Sequence, residues 1–182
     1  MKFLLTNQET ERLKFRKLND NDFEEWQELF EDEEVTRLLG MHEFKTPRER
    51  CEKWFEWTFH RYKNDLGGQN ILISKINNQI VGQCGLLVRE VENKFEIEIA
   101  YSILPKFRQN GFATESAMKC RDFAFENNFH NRLISIINAE NLNSKNVALK
   151  NGLNYSHEII YNDQKMDLYT IEIKDWQLNT TK

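Results

Sequence analysis

The chain has 182 residues, 40% of them hydrophobic and 30% charged, a balance that fits one compact soluble domain over 1–182 and excludes two large domains or disorder. With 7 Gly and 2 Pro against 13 Phe, 5 Tyr and 4 Trp, linker residues are scarce and core residues plentiful, which excludes a flexible scaffold. The formal charge of −4 is local: nine of the 29 acidic residues and no basic ones fall between Asp20 and Glu34, leaving 20 acidic against 25 basic elsewhere. That run reads as a solvated helix face or as a field that draws in a cationic amine, and a global basic surface for nucleic acid is disfavoured.

No stretch approaches the roughly 18 consecutive apolar residues of a membrane helix, and the first residues lack a signal peptide's apolar run, so no membrane association and a cytoplasmic location are expected. Cys51, Cys84 and Cys120 form no C-x-x-C pair, which points to reduced, inert thiols. His42, His60, His130 and His157 lie in no ligand spacing, so no metal is expected.

In chain order, Arg12 to Leu18 reads as a half-buried strand, and Phe23, Trp26, Leu29 and Phe30 recur at helical spacing. A shorter helical piece with Val35, Leu38 and Leu39 stops at Gly40. Thr46-Pro47-Arg48-Glu49 announces the next helix as a capping box with Pro at the first position; Cys51, Trp54, Phe55, Phe59 and Tyr62 form its apolar stripe, with Trp57 to the side. After Gly67-Gly68, Ile71–Ile76 and Ile80–Val88 read as strands around Asn77-Asn78. Lys94 to Leu104 alternates, with Phe95, Ile97, Ile99, Tyr101 and Ile103 on one face and Glu96, Glu98, Ala100 and Ser102 on the other. A helix follows from Phe112 to Asn127, its small residues Ala113, Ala117, Cys120 and Ala124 suited to close packing on a sheet. Arg132–Ile137 reads as a buried strand reached by a parallel crossover, then a helix from Asn143 to Asn151 ends at Gly152, before strands at Leu153–Tyr161 and Lys165–Ile173. The fold class is α+β: a mixed, mostly antiparallel sheet wrapped by about four helices.

Pro105 to Thr114 lies between a strand and a helix start, where Gly111 and small Ala113 let backbone N–H groups turn toward an anion; an ordinary strand-to-helix turn is the other reading. Neither G-x-G-x-x-G nor G-x-x-x-x-G-K-[ST] is present.

Arg108-x-x-Gly111-x-Ala113 resembles the acyl-CoA loop of the GNAT superfamily of acetyl-CoA-dependent N-acetyltransferases, specifically its RimJ/RimL-like branch. Glu98-Ile99-Ala100-Tyr101-Ser102-Ile103-Leu104-Pro105 resembles the strand before that loop, and Asn141-x-x-Ser144 with Lys150-x-Gly152-Leu153 resembles the later signature. Arg12-Leu13-x-x-Arg16-x-Leu18 with Asp22 resembles the family's opening, and Tyr169 to Trp176 its closing strand and Trp. The resemblance implies a bent sheet whose fourth and fifth strands splay apart, acetyl-CoA as cosubstrate and no metal. It places backbone groups of Tyr101 and Ile103 along the pantetheine arm, Arg108, Gln109, Asn110, Gly111, Phe112 and Ala113 around the pyrophosphate, and Asn141 and Ser144 opposite the arm.

The resemblance further implies direct attack of a primary amine on the thioester with Glu98 as base, and a departure from the family pattern moves the acid to Ser144. Glu96 and Asp163 are the alternative bases, and Ser144 as a mere cofactor contact stays open. A Tyr common in the family four residues before the signature Gly is Ala148 here. The acceptor is a small amine or a protein N-terminus; Trp54, Trp57 and Tyr62 with the acidic run suggest a pocket with an acidic mouth, in a monomer or homodimer. A non-catalytic acyl-CoA-binding or regulatory module, and a partner-binding protein using the acidic run, are the competing readings.

Overall fold

The computed structural model describes residues 2–180. Seven strands, β1 (Leu13–Arg16), β2 (Gly67–Ser74), β3 (Ile80–Val91), β4 (Lys94–Ile103), β5 (Arg132–Asn138), β6 (Asn154–Tyr161) and β7 (Gln164–Glu172), form one sheet in the order β1-β2-β3-β4-β5-β7-β6. Every neighbouring pair is antiparallel except β4–β5. The helices are α1 (Phe23–Gln27), α2 (Glu33–Leu39), α3 (Pro47–Lys63), α4 (Phe112–Glu126), α5 (Leu142–Lys150) and α6 (Ile173–Thr180). This is the expected α+β architecture, and none of the described helices is long and apolar enough to cross a membrane.

The sheet is buried on both faces, so alternate residues of one strand enter different cores. Leu72 joins Ile97, Ile99, Ala117, Cys120 and Ala124 in the core under α4, whereas its neighbours Ile71 and Ile73 join Trp26, Phe30 and Phe55 in the core under α1 and α3. The small-residue face of α4 does what its composition predicts: Ala117, Cys120 and Ala124 have no exposed surface and let the helix lie close on β3 and β4. Cys84 and Cys120 meet there with their sulfurs 3.5 Å apart, both as free thiols.

At α3 the capping box forms as its spacing predicts. Thr46 Oγ1 accepts from the Glu49 N–H and Glu49 Oε2 accepts from the Thr46 N–H, each at 3.1 Å, a device worth about 1 kcal/mol. Gly40 ends α2 in the left-handed conformation, also as expected.

Two expectations are corrected. The helix expected over residues 23–30 breaks after Gln27 into a 3-10 turn, which turns Leu29 and Phe30 into the core beside Trp26. β2 starts at Gly67, ahead of Ile71, because both glycines pair in the ladder with β3; a Cβ on Gly67 would stand 2.0 Å from the Leu86 carbonyl oxygen, so only Gly permits that approach. Trp176, which follows the closing strand, belongs to α6. Its indole N–H donates to Asp122 at 2.8 Å and its ring lies 5.4 Å from Phe125, which docks α6 on α4.

Candidate active site

β4 and β5 share a single rung, Glu98 with Ile134. One step further, Ser135 donates its hydroxyl to the Ile99 carbonyl at 2.8 Å in place of a ladder bond, and from Ala100 to Ile103 β4 has no strand on that side. The two strands therefore splay, as the resemblance implies, and a cleft of about 850 Å³ opens across the gap and under α3. Glu98, Tyr101, Asn141 and Ser144 line it together, with Trp54, Trp57 and Arg61 of α3 and Asn162 to Gln164 of the β6–β7 turn.

The loop that follows β4 is set by backbone conformation. Gln109 and Gly111 both take positive φ, at 64° and 81°, and among the described residues the N–H groups from Gln109 to Thr114 have no protein acceptor. A Cβ on Gly111 would meet only Arg12 Nη2, at 3.4 Å, so the space above the loop is open. An anion the size of a pyrophosphate fits that combination of free donors, a helix start and an empty approach. Asn110 stiffens the turn by donating its side-chain amide to the Phe107 and Arg108 carbonyls.

Arg12 clamps the loop from β1: its guanidinium donates to Glu115 at 2.6 Å and to the Asn110 carbonyl at 3.0 Å, and covers the Phe112 ring. Thr10 and the Arg12 N–H also donate to Glu115. Burial pushes the Glu115 carboxyl up, but these bonds outweigh it and hold it below its ordinary value. Arg108 leans away from the loop onto Asp32 at 2.8 Å, and Lys106 onto Glu28 at 3.0 Å.

Those two pairs explain part of the acidic run. Asp22 binds Arg16 and Glu33 binds Arg50, so four of its nine carboxylates brace this segment against the loop, β1 and α3, and none of the run lines the cleft. The expected acidic mouth from Asp20 to Glu34 is thus corrected: the carboxylates lining the cleft are Glu43, Glu98 and Asp163. Tyr62 is likewise a packing residue, donating its hydroxyl to the Gln69 carbonyl. Trp54 and Trp57 do wall the cleft, Trp54 with its indole N–H on Gln83 at 3.1 Å.

Glu98 sits 5% exposed at the apex of the splay, with Arg89 Nε donating to its Oε2 at 2.6 Å. Glu96, one pleat away on the same face, is bound by Arg132 and does not line the cleft. Asp163 occupies the exposed two-residue turn between β6 and β7. Ser144 stands at the start of α5, where the Asn141 side chain accepts its backbone N–H at 3.0 Å as the helix cap. The Tyr101 hydroxyl donates to the Ser144 carbonyl at 2.8 Å, and burial holds that phenol well above its ordinary value, so it stays protonated. Ala148 is buried in the core near Leu153 and Ile171, so no hydroxyl reaches the cleft from that position.

Residues 12–154 match the acetyltransferase (GNAT) domain family. The chain belongs to that family. It is 30% identical over 155 residues to the uncharacterised protein YkkB of Bacillus subtilis (strain 168), covering 82% of this chain and 86% of the relative. Among solved structures, an acetyltransferase from Agrobacterium tumefaciens C58 superposes with a TM-score of 0.76 at 21% identity, over 91% of this chain and 93% of that one. RimL, a ribosomal L7/L12 alpha-N-protein acetyltransferase solved with coenzyme A, superposes at 0.73 and 13% identity, over 95% and 99%.

Within this GNAT domain the structure adds residues that the motifs did not single out. Arg89 and Arg61 face the cleft beside Glu98, and Gln69 lines its floor. The signal for Arg89 was the turn at Glu92-Asn93, both at positive φ: counting back from it puts Arg89 opposite Glu96 and Leu87 opposite Glu98, with the Arg89 side chain one diagonal away. Arg61 and Gln69 reach the same place from α3 and β2, and no sequence spacing carries that information.

Proposed function

We propose that the protein transfers an acetyl group from acetyl-CoA to a primary amine by direct attack, as a RimJ/RimL-like cytoplasmic enzyme. The observation that carries this reading is the coincidence of a buried carboxylate, Glu98, at the apex of the splay with an open row of N–H donors at the far end of the same strand. Acetyl-CoA supplies an acetyl group activated as a thioester. The loop from Arg108 to Ala113 holds the pyrophosphate through its N–H groups from Gln109 onward, the free edge of β4 at Tyr101 and Ile103 pairs with the arm, and Asn141 and Ser144 face it from the start of α5. Glu98 takes a proton from the acceptor ammonium, so that the nitrogen lone pair forms the C–N bond as the C–S bond breaks. Ser144 then protonates the departing sulfur and is reprotonated by the second proton that leaves the nitrogen as the amide forms, and the Glu98 proton returns to solvent. Arg89 fixes the orientation of the Glu98 carboxylate.

Glu98→Gln tests this. With an accepted amine, turnover is expected to fall about 10²–10⁴-fold at neutral pH and to recover in part at higher pH, where more amine is already neutral. Acetyl-CoA affinity measured by calorimetry is expected to stay unchanged. Turnover close to the parent at neutral pH removes Glu98 from the mechanism.

A further inference from the structure

We propose that Arg61 and Arg89 form an anion subsite at the acceptor end of the cleft, and that the acceptor is an α-amino acid with an apolar side chain, bound through its carboxylate. This rests on the acetyl-transfer reading and names the acceptor class within it. The charge arrangement points that way. Two guanidiniums line this end of the cleft and one buried carboxylate, Glu98, answers them. Both are held in place. Arg61 Nη1 donates to the Leu66 and Val88 carbonyls at 2.9 and 3.2 Å, and Arg89 donates to Glu98 and lies over the Tyr161 ring.

Among the described residues, Arg61 Nε and Nη2 have no protein acceptor, and they remain available to a ligand. Burial and then the nearby Arg89 push Arg61 down to about 10, so it stays a cation at neutral pH beside another cation. The charge that completes this cluster is negative.

The opposite requirement is met next to it. Gln69 is buried on the cleft floor, and its Oε1 has no partner among the described residues. With Glu98 it gives two acceptors to an ammonium group. An ammonium and a carboxylate on one carbon match acceptors on β2 and β4 and guanidiniums on α3 and β3. Leu39, Met41 and the half-exposed Trp57 supply apolar walls for a side chain. A polyamine fits poorly, since its second ammonium would lie against Arg61 and Arg89. A protein N-terminus lacks the carboxylate. Glu43 and Asp163 line the cleft but are exposed, where solvent and salt screen them.

The test uses the full chain with acetyl-CoA and reads thiol release with L-leucine, L-leucinamide, spermidine and a short peptide with a free N-terminus. L-leucine is expected to give a kcat/KM at least tenfold above the others. Arg61→Gln is expected to collapse the leucine-to-leucinamide preference at least tenfold, through KM for leucine more than through kcat, and Arg61→Lys to restore part of it. Because Arg61 also ties two carbonyls, thermal melting checks the fold, and the leucine-to-leucinamide ratio of the unmodified protein stands whatever the variant does. Leucinamide or spermidine turned over as well as leucine overturns the anion subsite and leaves acetyl transfer standing. Bound acetyl-CoA with no thiol release from any of the amines overturns the transfer reading, and the subsite with it.

Discussion

At the loop between β4 and α4 the groups left open to a ligand are backbone N–H groups from Gln109 to Thr114, whereas at the α3 end of the cleft they are the side chains of Arg61, Gln69, Arg89 and Glu98. The first end is written in one contiguous stretch and needs particular φ values. The second is drawn from α3, β2, β3 and β4 and needs particular side chains at long range. A backbone site of this kind tolerates many side chains, while a side-chain site changes its ligand with one substitution. On the proposed reading, the loop is accordingly the part least sensitive to substitution and the α3 end of the cleft the part that sets specificity.

The sharpest way to break that contrast is at Gly111. Its φ of 81° is one a β-branched residue adopts only under strain, of about 1–3 kcal/mol, so Gly111→Val is expected to weaken acetyl-CoA binding about 10–100-fold by calorimetry. Neighbours leave room for a side chain, so crowding of the protein itself contributes little and the fold is expected to persist. Unchanged affinity would mean that the loop N–H groups do not hold the pyrophosphate.

Ser144→Ala gives the next effect. Because Asn141 caps α5 through the Ser144 backbone N–H and not its hydroxyl, the helix start survives the change. Turnover is expected to fall about tenfold while KM for acetyl-CoA moves less, the pattern of an acid and not of a cofactor contact. The reverse pattern assigns Ser144 to binding alone.

The smallest effect is on stability. The Glu115 carboxyl titrates in the folded protein below its ordinary value near 4.5, so its contribution is complete above about that pH and is lost as pH falls through the lower folded value. Glu115→Gln is expected to cost about 1–2 kcal/mol at pH 7 and to lose its difference from the parent protein in acid, once the folded carboxyl is protonated. Melting curves across that range check it; an equal cost at both pH values would mean that charge on Glu115 is not what holds the loop to β1.

The contrast also decides how much could be read from the chain. The alternation in β4, the capping box at Thr46, the small-residue face of α4 and the glycine loop are local patterns, and each appears where its spacing puts it. The acidic run was legible as a run but not as a brace, because its partners Arg16, Arg50, Lys106 and Arg108 are up to 78 residues away. Glu98 was found by motif, yet its bond to Arg89 depended on a strand register fixed by the unread turn at Glu92-Asn93. The Gly67-Gly68 pair read only as what precedes a strand, because its reason for being glycine, contact with Leu86 and with the Tyr62 ring, is tertiary.

The single rung between β4 and β5 also divides the molecule in time. β1 to β4 form an antiparallel meander and β5 to β7 a second set of antiparallel pairs, each closed by its own ladder, while the join depends on Glu98 with Ile134 and on the Ser135 hydroxyl. With so few ladder bonds at the join, the two sets are expected to open with different free energies although both pack into the core under α4. Amide hydrogens of β3 and β5 would then exchange with different free energies of opening, and those of Ala100 to Ile103 that point into the gap would exchange first. A bound chain lying along that edge would slow them and couple the two units into one.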